Sequence, residues 1–139
     1  MSSRDERGSI TVWLALSSFV MIFLVGLAVD LGGQVHAHER AHDLAAQAAR
    51  AGGEEVDGAG AVQGHQVTIS PVAARATALR YLDAAGVTGT AEITGGNTIT
   101  VTVHDTYDAR FLGLLGIHRL DVTGTATARL LRTVGGNQR

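Results

Sequence analysis

The most pronounced pattern along the chain is an apolar run, residues 10–29, that carries no charge over twenty positions. A helix rises about 1.5 Å per residue, so this run would form a helix about 30 Å long, which is the thickness of a bilayer's hydrocarbon core. We therefore predict a transmembrane helix over residues 10–30, preceded by a cytoplasmic lead over residues 1–9. The residues assigned to the membrane anchor are Ile10, Trp13, Leu16, Phe19, Ile22, Phe23 and Val29.

Two other interpretations of this run fit less well. A signal peptide has an apolar run of about 7–15 residues with small residues at a cleavage site close behind it, whereas Asp30 and Leu31 stand at that place here. A buried core helix would need a larger protein around it than the rest of the chain supplies. If the run were removed by cleavage, the remainder would be a secreted binding module.

The arginines that flank the run predict its orientation. Arg4 and Arg7 precede it, and Arg40 is the first arginine after it. Because positive residues near a membrane helix favour the cytoplasmic side, the pattern predicts a single-pass protein of the cell membrane. The N-terminus would be cytoplasmic, and residues 31–139 would form an extracytoplasmic domain. The lipid bilayer would be one partner of the protein.

A helical pattern continues beyond the run. Gly32 and Gly33 are weak points of about 1 kcal/mol each, which would let the two parts of the chain move relative to one another. Small apolar residues then recur every three or four positions, and a polar stripe runs parallel to them. The apolar positions are Ala37, Ala41, Leu44, Ala48 and Ala51, and the polar ones are His36, Arg40, Asp43, Gln47, Arg50 and Glu54. We predict one long helix that continues to about residue 51 and ends at Gly52-Gly53.

The remaining pattern changes from helix to strand. A glycine-rich loop is predicted over residues 52–69, and then a helix over 71–85 with Ser70 as its N-cap and Val72, Ala76, Leu79 and Leu82 on one face. Alternating residues predict strands at about 89–94, 98–106 and 119–132. The predicted fold class is α+β: a long helix packed on a small, mainly antiparallel sheet of about three strands, with a second helix. A membrane helix that continues into a soluble domain resembles the layout of pilins, so we expect a pilin-like fold. The flat side of the last strand, at Gly124, Ala126 and Ala128, is predicted to face the alanine face of the long helix.

Two features near the predicted domain boundary are candidates for contact with a partner. Asp30 follows the apolar run, and we interpret it as a solvated carboxylate at the end of the membrane helix. The alternative is a docking contact to another subunit. The apolar connector Phe111–Ile117, expected to form a short helical turn, reads as a lid over the core. Otherwise it is a patch offered to a partner or to the membrane surface. The candidate contact residues are Asp30, Phe111, Leu112, Leu114 and Leu115.

One catalytic motif stands on the long helix. His38, Glu39 and His42 match H-E-x-x-H, in which two histidines hold Zn²⁺ and the glutamate polarises a bound water. A small membrane zinc metalloprotease is therefore an alternative function, with His36, Glu54 or Glu55 as the third ligand. The simpler interpretation is a polar flank of an exposed helix, and it predicts no catalytic residue, no metal and no cofactor.

Composition excludes several further classes. The net charge is −2, so nothing indicates a nucleic-acid partner. All 11 basic residues are arginine, which we interpret as genome composition and not as a phosphate-binding device. The chain has no cysteine, which excludes disulfides and thiolate chemistry.

Several segments together resemble the TadE/TadG-like proteins of tight-adherence (Flp) pilus systems. They are Arg7-Gly8-Ser9 before the apolar helix, Leu27–Gly33 (LAVDLGG), the alanine-rich segment Ala41–Ala51, the alternating Thr/Val strand, the FLGLLGI connector and the Ala/Thr-rich last strand. The resemblance implies a non-enzymatic membrane protein that acts in pilus assembly or surface secretion. It also implies other pilus subunits as partners, with a homo- or hetero-oligomer formed through the anchor helix.

One position departs from the pseudopilin pattern. Pseudopilins cut by prepilin peptidase carry glutamate at the fifth mature position, and that position would be Trp13 if cleavage followed Gly8. An indole cannot supply the carboxylate that pairs with a neighbouring subunit's amine. The departure argues against processing and makes the TadG-like arm the closer match.

Overall fold

The computed structural model describes residues 5–54 and 70–130 of the chain. Helix α1 covers Asp5–Gly53 and α2 covers Pro71–Ala84; strands β1, β2 and β3 cover Thr88–Thr94, Thr98–Asp108 and Arg119–Arg129. A 3₁₀ helix, Leu112–Leu115, lies between β2 and β3. The predicted α+β fold class, with a long N-terminal helix, a second helix and a three-stranded antiparallel sheet, is confirmed. The order of the strands in the sheet is β1-β2-β3.

The described residues form two compact units. The first, here called the helix–turn unit, contains residues 5–35 and 107–120; the second, the sheet unit, contains residues 36–54, 70–106 and 121–130. The long helix α1 contributes its first part to one unit and its last part to the other.

The sheet unit has a core of small and β-branched side chains. β1 and β2 pair antiparallel from Thr88–His104 to Thr94–Thr98, and the loop between them uses Gly95 and Gly96 at φ of +63° and +72°, which glycine adopts without strain. The predicted alternation of the strands is confirmed. The buried side chains are Ala41, Ala45, Ala48, Ala49, Ala74, Ala78, Leu82, Ala91, Ile99, Val101, Val103, Val122 and Leu130.

The alanine face of α1 packs closely on β3, as the sequence predicts. A Cβ placed on Gly124 would overlap the backbone of Ala41 and His42. Gly53 likewise lies near Ala128, where a Cβ would be 3.7 Å from the alanine methyl group. Only glycine and alanine leave room for a helix backbone at this distance, which explains the composition of both surfaces.

The packing face of α2 differs in part from the prediction. Leu82 is buried as predicted, whereas Val72 is 78% exposed and Ala76 is also exposed. The other buried residues are Ala74 and Ala78. The prediction followed the larger side chains, but α2 lies close to the end of α1, where a Cβ on Gly52 would be 2.7 Å from the carbonyl oxygen of Ala74. So close an approach requires alanine at the contact and leaves valine outside.

The ends of the predicted elements shift by a few residues. Gly52 and Gly53 belong to α1, Glu54 follows in a turn, and residues 55–69 of the predicted loop lie outside the described residues. The second helix begins at Pro71 with Ser70 as its cap, as predicted: the Ala73 N–H donates to Ser70 Oγ at 3.4 Å. β3 ends at Arg129, and residues 131–132 are outside the described range.

In the helix–turn unit, α1 exposes its apolar side chains. Trp13, Leu16 and Phe19 are 69%, 62% and 68% exposed, and only 6% of the most apolar stretch of this helix is buried within the protein. The core-helix interpretation is therefore wrong for the described structure. The helix also continues without a break through Gly32 and Gly33, where the sequence suggested a weak point.

Candidate functional site

The most constrained polar group in the helix–turn unit is the carboxylate of Asp30. Its side chain is completely buried. Oδ1 accepts a hydrogen bond from the Arg110 N–H at 2.8 Å, and Oδ2 accepts one from the Phe111 N–H at 2.8 Å and one from the Leu112 N–H at 2.6 Å. The Tyr107 hydroxyl makes a longer contact of 3.5 Å with Oδ1.

These donors are the backbone groups that precede and begin the 3₁₀ helix. Phe111 occupies its N-cap position and supplies no side-chain hydrogen bond there. The first N–H groups of a helix have no partner within the helix, and a nearby side-chain oxygen usually supplies one. Here Asp30 caps the turn from α1, a different part of the chain.

The expectation of a solvated carboxylate at Asp30 is therefore wrong, because the carboxylate is buried and hydrogen-bonded. A contact of Asp30 with another subunit stays a prediction. Burial of a carboxylate costs free energy because the group loses its contact with water. Here hydrogen bonds from backbone N–H groups to each oxygen offset that cost. Sequence reasoning could not find those donors, because backbone groups carry no signature in the sequence.

Two glycines of α1 make room for aromatic side chains from the turn. A Cβ on Gly26 would lie 2.7 Å from two ring carbons of Phe111. A Cβ on Gly33 would overlap the hydroxyl of Tyr107. Gly32, in contrast, has open space around it. The sequence pattern alone does not distinguish Gly32 from Gly33, and it carries no signal for the contacts of Gly26 and Tyr107.

An apolar groove of about 340 Å³ lies between α1 and the connector within the same unit. Its walls are Phe19, Ile22, Phe23, Leu27, Phe111, Leu112, Leu114 and Leu115. Leu114 is 85% exposed and Leu115 is 59% exposed, so the interpretation of the connector as a core lid is wrong. The predicted helical turn is present as the 3₁₀ helix.

The H-E-x-x-H residues do not form a metal centre with the rest of the described chain. His38 Nδ1 lies 3.3 Å from the carbonyl oxygen of Thr123, and His36 Nδ1 pairs with Glu39 Oε2 at 3.2 Å on the exposed surface. Across residues 5–54 and 70–130, no three side chains of His, Asp or Glu are grouped so that they could share a metal. Glu55, one candidate third ligand, lies outside these ranges.

The N-terminal part of the chain matches a protein-family model. A model of the Tad family, described as "Putative Flp pilus-assembly TadE/G-like", matches residues 8–66. This segment is similar to that family. The matched segment includes the exposed apolar helix and Asp30, and the resemblance recognised in the sequence is supported at this level, without a distinction between the TadE-like and TadG-like arms. Comparison with curated proteins and with solved structures found no match.

The match agrees with the character of the helix. Within the described residues one helix is long and apolar enough to cross a membrane. The segment that is similar to the family therefore contains the long apolar helix.

Proposed function

We propose that the chain is a non-enzymatic, membrane-anchored component of a tight-adherence (Flp) pilus assembly or secretion system. The observation that carries this proposal is the coincidence of two features in one segment. The family match over residues 8–66 contains a helix whose apolar side chains are exposed along residues 10–25. Exposed apolar surface of this length is unfavourable in water and favourable in a bilayer.

The proposed topology follows the sequence. Residues 1–9 are cytoplasmic, residues 10–30 cross the cell membrane once, and residues 31–139 form the extracytoplasmic domain. Arg4 and Arg7 precede the apolar run and Arg40 is the first arginine after it, which favours this orientation. Trp13 lies near the cytoplasmic end, where an indole suits the membrane interface.

The partners proposed are other subunits of the pilus or secretion system, reached through the anchor helix and the surface next to it. Trp13 at the place of the pseudopilin glutamate favours an uncleaved, TadG-like protein. The polar stripe at His36, Arg40, Asp43, Gln47 and Arg50 is exposed in the sheet unit and offers hydrogen-bonding surface without a catalytic arrangement.

Single cysteines test the topology, because the natural chain has none. Ser2→Cys and Asp43→Cys variants are expressed in intact cells and treated with a membrane-impermeant thiol reagent. Asp43→Cys is expected to react, and Ser2→Cys only after the cells are lysed. Reaction of both in intact cells, or recovery of a soluble form that begins beyond Asp30, would contradict the anchor.

Complementation tests the pilus role. A strain that lacks the protein is expected to lose surface pili, and the natural chain is expected to restore them. A variant without residues 10–30 should accumulate but fail to restore pili. If that variant assembles pili normally, the anchored role proposed here is wrong.

A further inference from the structure

The connector Phe111–Ile117 combines exposed apolar side chains with a backbone that is largely hydrogen-bonded within the protein. Phe111, Leu114, Leu115 and Ile117 are 41%, 85%, 59% and 45% exposed. A short surface segment in water usually leaves its backbone N–H groups to solvent and carries polar side chains. In this connector most backbone N–H groups have acceptors within the protein, and the exposed side chains are apolar.

The backbone of this segment finds its acceptors inside the protein. N–H groups of the connector with an acceptor are those of Phe111, Leu112, Leu114, Gly116 and Ile117, and those of Ala109 and Arg110 just before it have one too. Three of them donate to Asp30 and the others to carbonyls of the connector and of His118. Where water is absent, a non-helical backbone is tolerated only when its polar groups are satisfied in this way.

Polar residues flank the apolar segment at both ends. Asp108 Oδ1 and Arg119 Nε lie 3.5 Å apart, and their side chains are 85% and 76% exposed. Arg110 and His118 are also exposed. The segment therefore has charged ends and an apolar tip, the distribution that suits lipid headgroups and acyl chains respectively.

The tip lies beside the part of α1 that the proposed function places in the membrane. Leu114 and Leu115 share the groove with Phe19 and Phe23. Phe19 stands about 16 Å before Asp30 along a helix, which is about half of the ~30 Å hydrocarbon core.

We infer that the connector is a second membrane-contacting element, which inserts its apolar tip among acyl chains in the leaflet next to Asp30. The apolar surface of the connector is continuous with the exposed apolar face of α1, so one bilayer covers both. Asp30 makes insertion feasible because its carboxylate accepts hydrogen bonds from backbone N–H groups that would otherwise have no partner in the bilayer. This inference rests on the proposed membrane anchor.

The experiment uses the full-length protein in vesicles of phosphatidylcholine and phosphatidylglycerol. Three single-cysteine variants carry an environment-sensitive fluorophore: Leu114→Cys at the tip, Val25→Cys on α1 and Asp43→Cys on the polar stripe. Val25 is 62% exposed and Asp43 is exposed, so none of the three labels requires space in a core. Quenching by bromines on the acyl chains and by aqueous iodide is measured for each label.

The label at Leu114→Cys is expected to behave like the label at Val25→Cys. Both should show blue-shifted emission, strong quenching of fluorescence by brominated lipid, and little quenching by iodide. The label at Asp43→Cys should show the reverse. If the Leu114→Cys label is quenched by iodide, or by neither agent because a second copy covers it, the inference is overturned. Either result would still agree with the proposed membrane anchor, provided that brominated lipid quenches the Val25→Cys label. Loss of the lipid response at Val25→Cys would instead contradict the proposed function itself.

Discussion

The carboxylate of Asp30 accepts a hydrogen bond from the backbone N–H of Leu112 at 2.6 Å, although 82 positions of chain separate the two residues. This bond, with those from Arg110 and Phe111, ties the start of the 3₁₀ helix to α1. The position that the sequence presents as the end of a membrane helix is thus also the point that holds the connector.

Replacing Asp30 with alanine is expected to loosen the connector. The N–H groups of Arg110, Phe111 and Leu112 would lose their acceptor, at a cost of about 1–3 kcal/mol for each donor that stays buried. Trypsin cleavage at Arg110 should become faster, since cleavage requires local opening. Asp43→Ala, an exposed position on the same helix, is the matched control and should cleave like the natural chain. Equal cleavage rates for the two variants would contradict the capping role.

Gly33→Ala and Gly32→Ala are expected to act in opposite directions. Alanine at position 32 has open space and gains helix propensity, up to about 1 kcal/mol. Alanine at position 33 would overlap the Tyr107 hydroxyl and cost about 1–3 kcal/mol from overpacking. Thermal unfolding in detergent, followed by circular dichroism, measures both.

A double variant identifies the cause of the Gly33 effect. Gly33→Ala combined with Tyr107→Ala should destabilise by less than the sum of the single changes, because the overlap is gone. Additive effects would indicate that Gly33 matters for a reason other than its contact with Tyr107.

Gly124→Val is expected to destabilise the sheet unit strongly. Its side chain would meet the backbone of Ala41 and His42, which cannot rotate away as a side chain can, so the cost should reach or exceed about 1–3 kcal/mol. Thr127→Val, on the exposed side of β3, should change stability by no more than about 0.5 kcal/mol. Denaturant unfolding of the full-length protein compares them, and similar midpoints would refute the close packing of α1 on β3.

Leu16→Arg is expected to weaken membrane retention. An arginine near the centre of a membrane helix costs about 2.5–3.5 kcal/mol of insertion free energy. The measurement is the fraction that stays with membranes after alkaline extraction, and Leu16→Ala is the control. Full retention of the arginine variant would show that the helix does not cross the bilayer at this position.

Glu39→Gln and His42→Ala are expected to leave pilus assembly unchanged. Zinc proteolysis needs three protein ligands and an open position for water, whereas Glu39 pairs with His36 on the surface. Complementation by the two variants and the zinc content of the purified natural protein are the measurements. One tightly bound zinc per chain, together with loss of function in both variants, would establish the metal site instead.

Much of the fold could be predicted because local pattern and tertiary structure agree. Ile99, Val101 and Val103 alternate along β2 and are all buried. Ser70-Pro71 marked the start of α2 because both residues act through their own backbone geometry.

The face of α2 shows where pattern reasoning fails. It favoured Val72 over Ala74 because burial of larger apolar side chains is usually worth more. The neighbouring helix backbone is so close that the smaller residue is the one that fits. Distance between elements is a tertiary quantity, and composition alone does not encode which face will meet a close neighbour.

The sequence by itself determined the long helix, the hairpin of β1 and β2, the inward side of β2 and β3, and the resemblance to the Tad family. Each of these depends on residues near one another in the chain, or on a pattern that repeats along it. Only the tertiary structure decided what Asp30, Gly26 and Gly33 do. Their partners at Tyr107 and Phe111–Leu112 are distant in sequence, and the decisive donors to Asp30 are backbone N–H groups that nearly every residue possesses.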